Sequence, residues 1–317
     1  METTSNLPPA DSDKTLKMLK TAMTGFIDFF EDELVTEIML NEDKSLWIER
    51  IGEGMIDTGR RIEPDAAERF ISIVSSVTLD KINKAKPHLS GELPIWGSRI
   101  EAVIPPASIN PIFSIRQKAR AIFSLADYID QKIMTPEQER IIKKAVVERK
   151  NILVVGGTGS GKTTLTNAIL QEISKTKSRL LILEDTAELQ CDYSNTVFLR
   201  QREGFTMRQM VRSSMRLRPD RIIVGEVTDG AALDLLKAWN TGHPGGISTI
   251  HANSAKDGLT RLEMLIQEVV PSANKDLIGA AVDLIIFIER TNDGRKIKEL
   301  VVVDGYSSDG YSLKKLA

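Results

Sequence analysis

The stretch Gly156-Gly157-Thr158-Gly159-Ser160-Gly161-Lys162-Thr163 decides the fold, because it is a complete G-x-x-x-x-G-K-[ST] loop. It follows the apolar run 151–155, which is typical of a buried parallel strand, and it precedes residues 164–174, whose apolar positions recur at helical spacing. A strand, a glycine-rich turn and a helix in this order predict a loop whose backbone N–H groups converge on phosphate oxygens. The alternative, a flexible glycine turn, does not explain the flanking strand and helix.

The side chains of this loop fit the same chemistry. Lys162 would neutralise the β- and γ-phosphates, and Thr163 would offer its hydroxyl to Mg²⁺. We therefore expect a nucleoside triphosphate and Mg²⁺ as cofactors. The residues expected to hold the nucleotide are Gly157, Thr158, Gly159, Ser160, Gly161, Lys162, Thr163 and Thr164.

Composition limits the possible classes of function. The 317 residues are 41% hydrophobic and 27% charged, which is ordinary for a soluble protein. The net charge of −2, from 42 basic and 44 acidic side chains, supplies no general attraction to nucleic acid or anionic lipid. A single cysteine, Cys191, excludes an internal disulfide and a four-cysteine zinc site. Because no apolar stretch approaches about 18 residues, we expect a cytoplasmic protein that attaches to a membrane only through a partner. From the net charge we expect no direct binding to nucleic acid.

The organisation along the chain predicts two domains. Residues 1–14 are polar and acidic, and we expect them to form a disordered leader. Residues 15–130 mix helices, at 16–30 and 66–76, with strands at 37–40 and 45–50, which indicates a smaller α+β domain. The capping box Thr135-Pro136-Glu137-Gln138 starts a helix that we expect to run to residue 149, so the boundary is placed just before it, at 130/131.

After residue 150 strands and helices alternate regularly. Repeated strand–helix units predict an α/β domain over residues 131–317, with a mostly parallel sheet covered on both faces. A final strand pair at 284–290 and 296–304 is joined by Asn292-Asp293-Gly294, which is a hairpin signal. The other strands are expected at 151–155, 179–184, 196–199, 221–225 and 246–250.

Acidic residues and a histidine follow three of the predicted strands. Glu184, Asp185 and Glu188 follow one strand, Glu226 follows a second, and His251 ends a third. In an α/β sheet such side chains gather at the carboxyl ends of the strands, near the phosphate loop. Acidic residues there can also be plain helix caps, and a histidine at a strand end is often structural. Glu226 is the strongest candidate, because a carboxylate directly after an apolar strand is costly to bury without a role.

A basic stripe occupies a helix predicted at residues 206–217. Arg208, Arg212 and Arg216 recur at every fourth position. Such a stripe is either a solvated face or a contact with a neighbouring subunit, an acidic partner or a nucleotide phosphate.

Together these motifs resemble one family, the secretion and type IV pilus traffic ATPases, and most closely its conjugal-transfer members in type IV secretion systems. The resemblance covers nearly the whole chain, since residues 35–41, 97–100 and 113–116 are also similar to family segments. The ordered boxes are the phosphate loop at 154–164, Glu184-Asp185-Thr186-Ala187-Glu188 for the aspartate box, Arg218-Pro219-Asp220-Arg221-Ile222-Ile223-Val224-Gly225-Glu226-Val227 for Walker B, and Thr241-Gly242-His243-Pro244-Gly245-Gly246 with Thr249-Ile250-His251-Ala252-Asn253 for the histidine box.

The resemblance implies a RecA-like P-loop ATPase domain preceded by the smaller N-terminal domain, with ATP bound between them. It implies a homo-hexameric ring, peripheral at the cytoplasmic face of the inner membrane, that works with secretion-channel components and other secretion ATPases. ATP hydrolysis would drive domain motion for substrate transfer or pilus assembly.

The resemblance also implies roles for individual residues. Glu226 would polarise the attacking water, and His251 would sense the γ-phosphate. The others are Glu184 and Glu188, which would support the metal and water shell; Asp185, which with Thr163 would face the magnesium; and Arg99 and Arg116, which would stabilise charge from the N-terminal domain.

One position departs from the family pattern. The family has an arginine two residues after the Walker-B glutamate, where this chain has Thr228. This keeps open a nucleotide-gated scaffold with negligible turnover. A motor of pilus retraction or type II secretion is the other alternative, and a DNA translocase is disfavoured by the net charge.

Overall fold

The computed structural model describes residues 9–51, 53–78, 81–93, 96–118, 123–202, 204–291 and 294–316. The chain divides into two compact units, Met1–Arg120 and Ala121–Ala317. Each has its own sheet and its own hydrophobic core.

The first unit wraps helices around an antiparallel sheet. Over its described residues the sheet has six strands in the order β3-β2-β1-β6-β5-β4. Phe26, Phe70 and Phe113 meet at centroid distances of 5.3 to 5.4 Å in its core. The elements are α1 (Pro9–Ala22), α2 (Asp28–Glu31), β1 (Val35–Leu40), β2 (Ser45–Arg50), β3 (Gly54–Arg61), α3 (Pro64–Thr78), β4 (His88–Leu93), β5 (Ser98–Val103) and β6 (Ile112–Arg116).

The start of this unit differs from the expected one. Helix α1 already begins at Pro9, whereas a disordered leader was expected to extend to residue 14; residues 1–8 lie outside the described part. The single helix expected at 16–30 is two helices, because the chain turns between Ala22 and Asp28. At that turn Gly25 lies against Ile62, whose Cδ1 would be 2.8 Å from a Cβ at position 25.

The second unit is an α/β fold. Its sheet has eight strands among the described residues, in the order β14-β13-β12-β7-β11-β10-β8-β9. The six strands β7 to β12 run parallel to one another, whereas β13 and β14 are antiparallel to their neighbours. The elements are α4 (Leu125–Asp130), α5 (Pro136–Val147), β7 (Ile152–Gly156), α6 (Lys162–Ser174), β8 (Leu180–Glu184), β9 (Thr196–Arg200), α7 (Met207–Ser214), β10 (Arg221–Glu226), α8 (Ala231–Asn240), β11 (Ile247–His251), α9 (Ala255–Gln267), α10 (Lys275–Ala281), β12 (Leu284–Thr291), β13 (Gly294–Ser307) and β14 (Gly310–Lys315).

The chain divides ten residues before the expected boundary, because α4 belongs to the second unit. Its Leu125 and Tyr128 are buried in one cluster with residues of α5 and β7. Ser124 and Asp127 form a capping box that starts α4. The predicted boundary rested on the later capping box at Thr135 alone. The capping box at Thr135 and Gln138 is present as predicted.

Two hydrophobic clusters cover the two faces of the second sheet. Strand β7 shows why its sequence is uniformly apolar: Leu153 and Val155 enter one cluster, and Ile152 and Val154 enter the other. All five residues of this strand are buried, as the interior of a parallel sheet requires. The glycine-rich loop therefore leaves the sheet from a rigid, central position.

The C-terminal hairpin extends further than the sequence indicated. Gly294 opens β13 with φ = +108°, while Asn292 and Asp293 of the predicted turn lie outside the described residues. Strand β14, which was not predicted, pairs with β13 after a second turn that ends at Gly310. No helix within the described ranges is long and apolar enough to cross a membrane.

Candidate functional site

The glycine-rich loop joins β7 to α6 in a conformation that depends on its glycines. Gly159 and Gly161 have φ values of +69° and +96°, in the left-handed region that favours glycine. A Cβ on Gly156 would overlap the carbonyl oxygen of Ile288 and the hydroxyl of Ser160. Gly161 is the N-cap of α6, so the free N–H groups of the helix start face the loop. The strand, glycine-rich loop and helix follow one another as the sequence predicted, and such an arrangement suits an anion.

Lys162 lies under this loop and is 6% exposed. Its Nζ donates to the carbonyl oxygens of Gly156 and Gly157 at 3.1 and 3.0 Å. The same Nζ is 3.2 Å from Nδ1 of His251. The ammonium group is thus placed between the loop and the end of β11.

His251 and Glu226 continue the line that begins at Lys162. The register of β7 and β11 sets His251 beside Gly156. His251 Nε2 is 3.0 Å from Glu226 Oε1, at the end of the neighbouring strand β10. The two side chains are 43% and 33% exposed, so water reaches both. The structure therefore brings together three residues that the sequence placed on separate elements.

Glu184 ends β8 and is 2% exposed. Its Oε1 accepts hydrogen bonds from the backbone N–H groups of Glu188 and Leu189 at 3.0 and 2.7 Å. Burial raises the pKa of this carboxyl to about 7, against the lowering effect of the two N–H donors. A Cβ on Gly225 would be 3.2 Å from Glu184 Cγ, so the glycine at this position leaves room for the glutamate side chain.

Asp185 and Glu188 lie on the segment that follows β8. Asp185 is exposed, and its Oδ1 accepts from the N–H of Thr186 at 2.7 Å. Glu188 is half-buried. In the described part of the chain no group of three or more histidine, cysteine or acidic residues could hold a metal by itself. Thr163 is half-buried in the first turn of α6, and its hydroxyl and these carboxylates are the kind of oxygen donor that Mg²⁺ prefers.

Arg99 and Arg116 belong to the first unit. They are cross-strand partners on β5 and β6, and both are exposed. Guanidinium groups on directly opposed strand positions repel one another. Glu37 of β1 lies opposite Arg116, and Glu92 of β4 lies opposite Arg99, so each arginine also has an acidic cross-strand neighbour.

Arg221, which could have supplied the charge that Thr228 lacks, lies at the opposite end of β10 from Glu226. It is 1% exposed and donates to the carbonyl oxygens of Val146 and Gly245 at 3.0 and 3.2 Å. Burial lowers the pKa of its guanidinium to about 10. Arg221 is thus structural. Thr228 itself is exposed, two residues after Glu226.

Two arginines of the predicted basic stripe are also engaged within the second unit. Arg208 and Arg212 direct their Nε atoms to the two carboxylate oxygens of Asp234, at 2.6 and 2.9 Å. Asp234 is 7% exposed, so the pair ties α7 to α8. Arg216 is exposed.

Three residues near the loop escaped the sequence analysis. Arg295 of β13 directs its Nε toward the carbonyl oxygen of Gly159, at 3.4 Å. A Cβ added to Gly159 would lie 3.9 Å from Nη1 of Arg290 on β12. Asn167 of α6, 2% exposed, bonds the backbone of residues 188 and 190. No local sequence signal marks these residues. Strand order brings Arg290 and Arg295 to the glycine-rich loop, and helix packing brings Asn167 to the segment after β8.

Comparison with known proteins places the chain in a family. The family described as Type II/IV secretion system protein matches residues 24–293. The conjugal transfer protein TrbB of Rhizobium radiobacter is 48% identical over 289 residues, which cover 90% of this chain and 89% of that protein. The probable conjugal transfer protein TrbB of Sinorhizobium fredii is 46% identical over 286 residues, or 90% and 88% of the two chains.

A solved structure shares the fold. The ATPase DotB of Yersinia pseudotuberculosis has a TM-score of 0.63 and 18% identity, over 98% of this chain and 84% of that one. The family match spans both units of the chain, from residue 24 to residue 293. The chain therefore belongs to the Type II/IV secretion system protein family.

Proposed function

We propose that this protein is an ATPase that powers transfer in a conjugative type IV secretion system. Its second unit would be a RecA-like P-loop domain. The observation that carries the proposal is the continuous line from Lys162 through His251 to Glu226, which starts under the glycine-rich loop. The names of the 48% and 46% identical relatives support conjugal transfer as the setting.

The binding step would use the loop and the start of α6. The N–H groups of the helix start would receive the β-phosphate, and Lys162 would exchange its bonds to the carbonyl oxygens of Gly156 and Gly157 for phosphate oxygens. Thr163 would offer its hydroxyl to Mg²⁺, with Asp185 and Glu188 facing the ion. Magnesium, when bound, neutralises charge on the phosphates.

Hydrolysis needs a group that orients water toward the γ-phosphate. Glu226 would do this, since it is reachable by water and held at 3.0 Å by His251. His251 would sense the γ-phosphate, because it contacts both the lysine that binds phosphate and the glutamate that orients water. Glu184 is 2% exposed, so its support of the metal and water shell would be indirect, through the segment that it holds.

Arg99 and Arg116 would stabilise charge on the nucleotide in a closed state. Support comes from their placement side by side at exposed positions of β5 and β6. Arginines that reach transferred phosphate accelerate related enzymes by about 10³-fold or more.

We further propose a homo-hexameric ring at the cytoplasmic face of the inner membrane, attached through secretion-channel components and other secretion ATPases. Motion between nucleotide states would be passed to these partners. A pilus-retraction or type II secretion motor is the alternative setting, and the curated relatives favour conjugation over it. A scaffold with negligible turnover is the remaining alternative, because Thr228 stands where an arginine is expected.

The test compares hydrolysis with binding in full-length variants. Lys162→Ala should abolish both, since Lys162 contacts phosphate in the ground state. Glu226→Gln should reduce kcat by about 10³-fold with ATP affinity unchanged, because the glutamate acts on water in the transition state. Lys150→Ala, which removes an exposed lysine paired with Asp283, is the matched control and should have no effect. Much weaker ATP binding by Glu226→Gln would refute the role given to Glu226.

A further inference from the structure

The segment after β8 is irregular, yet its backbone is held by buried side chains. Residues 187–190 form neither helix nor strand. Glu184 accepts from the N–H groups of residues 188 and 189. Asn167 donates its Nδ2 to the carbonyl oxygen of Glu188 at 3.2 Å, and its Oδ1 accepts from the N–H of Gln190 at 2.9 Å. Two side chains therefore satisfy four backbone groups of residues 188–190 that secondary structure leaves open.

Asn167 connects this segment to the helix that starts the nucleotide site. It lies four residues after Thr163 on α6, so both occupy the same side of the helix, one turn apart. It is 2% exposed, and its amide bonds the backbone of residues 188 and 190. These two bonds attach the backbone on both sides of Leu189 to α6.

We propose that Asn167 is a positioning residue that fixes Glu188 relative to Thr163, and thereby sets the magnesium affinity of the nucleotide site. This inference rests on the proposed function and assigns a role within it. Asn167 itself touches neither nucleotide nor metal in this account. Its amide would set the spacing between the hydroxyl of Thr163 on α6 and the carboxylate of Glu188 on the segment after β8. Outer-shell partners of metal ligands are typically worth about 10- to 100-fold in metal affinity or activity.

The chain offers a matched control in Asn151. This residue is also a buried asparagine whose amide makes hydrogen bonds to backbone groups through both of its polar atoms. Its Oδ1 accepts from Gly245 and Gly246, and its Nδ2 donates to Ala281. It precedes β7, so it lies at the end of that strand opposite the glycine-rich loop. Asn151→Ala and Asn167→Ala therefore remove similar bonds, and only the second touches the proposed site.

The experiment measures ATP hydrolysis by the full chain as a function of Mg²⁺ concentration, together with ATP affinity and melting temperature. Both alanine variants should melt at lower temperature. Asn167→Ala should raise the Mg²⁺ concentration for half-maximal rate by about 10-fold or more and lower kcat, with ATP affinity changed less than about threefold. Asn151→Ala should leave the Mg²⁺ dependence unchanged.

A second variant covers the case in which Asn167→Ala does not fold. Asn167→Asp has the same shape and keeps the acceptor for Gln190, while it loses the donor to Glu188, so it should also raise the Mg²⁺ requirement. Wild-type Mg²⁺ dependence in a folded Asn167 variant would overturn the proposal and leave a structural asparagine. Absence of Mg²⁺-dependent ATP binding and hydrolysis in the wild type would instead overturn the proposed function, and this inference with it.

Discussion

The two ends of the mostly parallel sheet in the second unit hold different kinds of buried polar group. At the amino end Asn151, directly before β7, and Arg221, the first residue of β10, are almost completely buried. Asn151 makes three hydrogen bonds to backbone groups, and Arg221 bonds two carbonyl oxygens and the hydroxyl of Ser178. These bonds join the starts of β7 and β10 to loop residues and to the last turns of α5 and α10.

At the carboxyl end the buried polar groups lie on the glycine-rich loop and at the end of β8. In the described part of the chain each end has a buried atom without a hydrogen-bond partner, and at the amino end this atom is Arg149 Nε. The Ser160 hydroxyl is buried with no hydrogen-bond partner among the described residues. Lys162 turns to the carbonyl oxygens of its own loop, and Glu184 is buried with its pKa raised to about 7. The comparison predicts that substitutions at the amino end change mainly the stability of the fold, and that substitutions at the carboxyl end change mainly the proposed nucleotide site.

The strongest way to break this comparison is Gly156→Ala. Its methyl group would overlap the Ile288 carbonyl oxygen and the Ser160 hydroxyl, so the loop would have to leave its position. We expect ATP affinity to fall by about 100-fold or more, since the phosphate contacts depend on loop shape. Gly157→Ala is the control, because a Cβ there meets nothing within 4 Å, and its loss should be much smaller. Equal losses in a binding titration would show that the close approach at Gly156 is unimportant.

At the other end of the sheet, Arg221→Met should affect stability alone. The variant leaves the carbonyl oxygens of Val146 and Gly245 without this donor, and the free energy of unfolding should fall by about 2–4 kcal/mol. ATP affinity should stay within about twofold of wild type. Denaturant unfolding and an ATP titration measure the two effects, and a large loss of affinity would contradict the separation of the two ends.

The buried carboxyl of Glu184 predicts a pH dependence of stability. Its pKa rises from 4.5 to about 7 on folding, so the folded state holds the proton more tightly than the unfolded state. The contribution to stability is fully present below pH 4.5 and is lost as the pH rises through about 7, a difference of about 3 kcal/mol at most.

Glu184→Gln isolates this effect, because the amide oxygen can still accept from residues 188 and 189. The variant should unfold at higher denaturant concentration than wild type near pH 8 and lose the slope between pH 5 and 8. Its kcat should change less than about threefold if the side chain only holds the segment. A loss of about 100-fold would show that the carboxylate acts directly on the metal or water shell.

The smallest effect is expected at Thr228. The side chain is exposed two residues after Glu226, and Arg221 lies at the far end of the same strand, where it cannot supply the missing charge. Thr228→Arg should therefore raise kcat several-fold. An unchanged or lower kcat would mean that another cation, with Arg99 and Arg116 the candidates, already fills that role.

Much of the second unit was predictable, because strong local signals agree there. The apolar run of β7, the glycines after it and the capping box at Thr135 each specify one structure. Strand ends with Glu226 and His251 could be placed at one edge of the sheet by the parallel topology alone. The errors lie where tertiary packing decides: α4 joined the second unit through Leu125 and Tyr128, and β14 forms only by pairing with β13.

Several contacts of the candidate site could not be predicted from the sequence, because they too depend on tertiary packing. Asn167 and Arg295 carry no motif, and their contacts to Glu188 and Gly159 span 21 and 136 positions along the chain. Burial of Glu184 depends on the absent side chain at Gly225. Only strand order and packing distances reveal such relations.

The position of β12 beside β7 has a consequence for synthesis. The loop at Gly156 rests against the backbone of Ile288, and β7 pairs with β12 as well as with β11. A ribosome adding about 5–20 residues per second reaches β12 roughly 7 to 26 seconds after the glycine-rich loop. During that interval the loop lacks one of the strands that flank it. The proposed nucleotide site therefore gains its last neighbouring strand only after β12 has been synthesised.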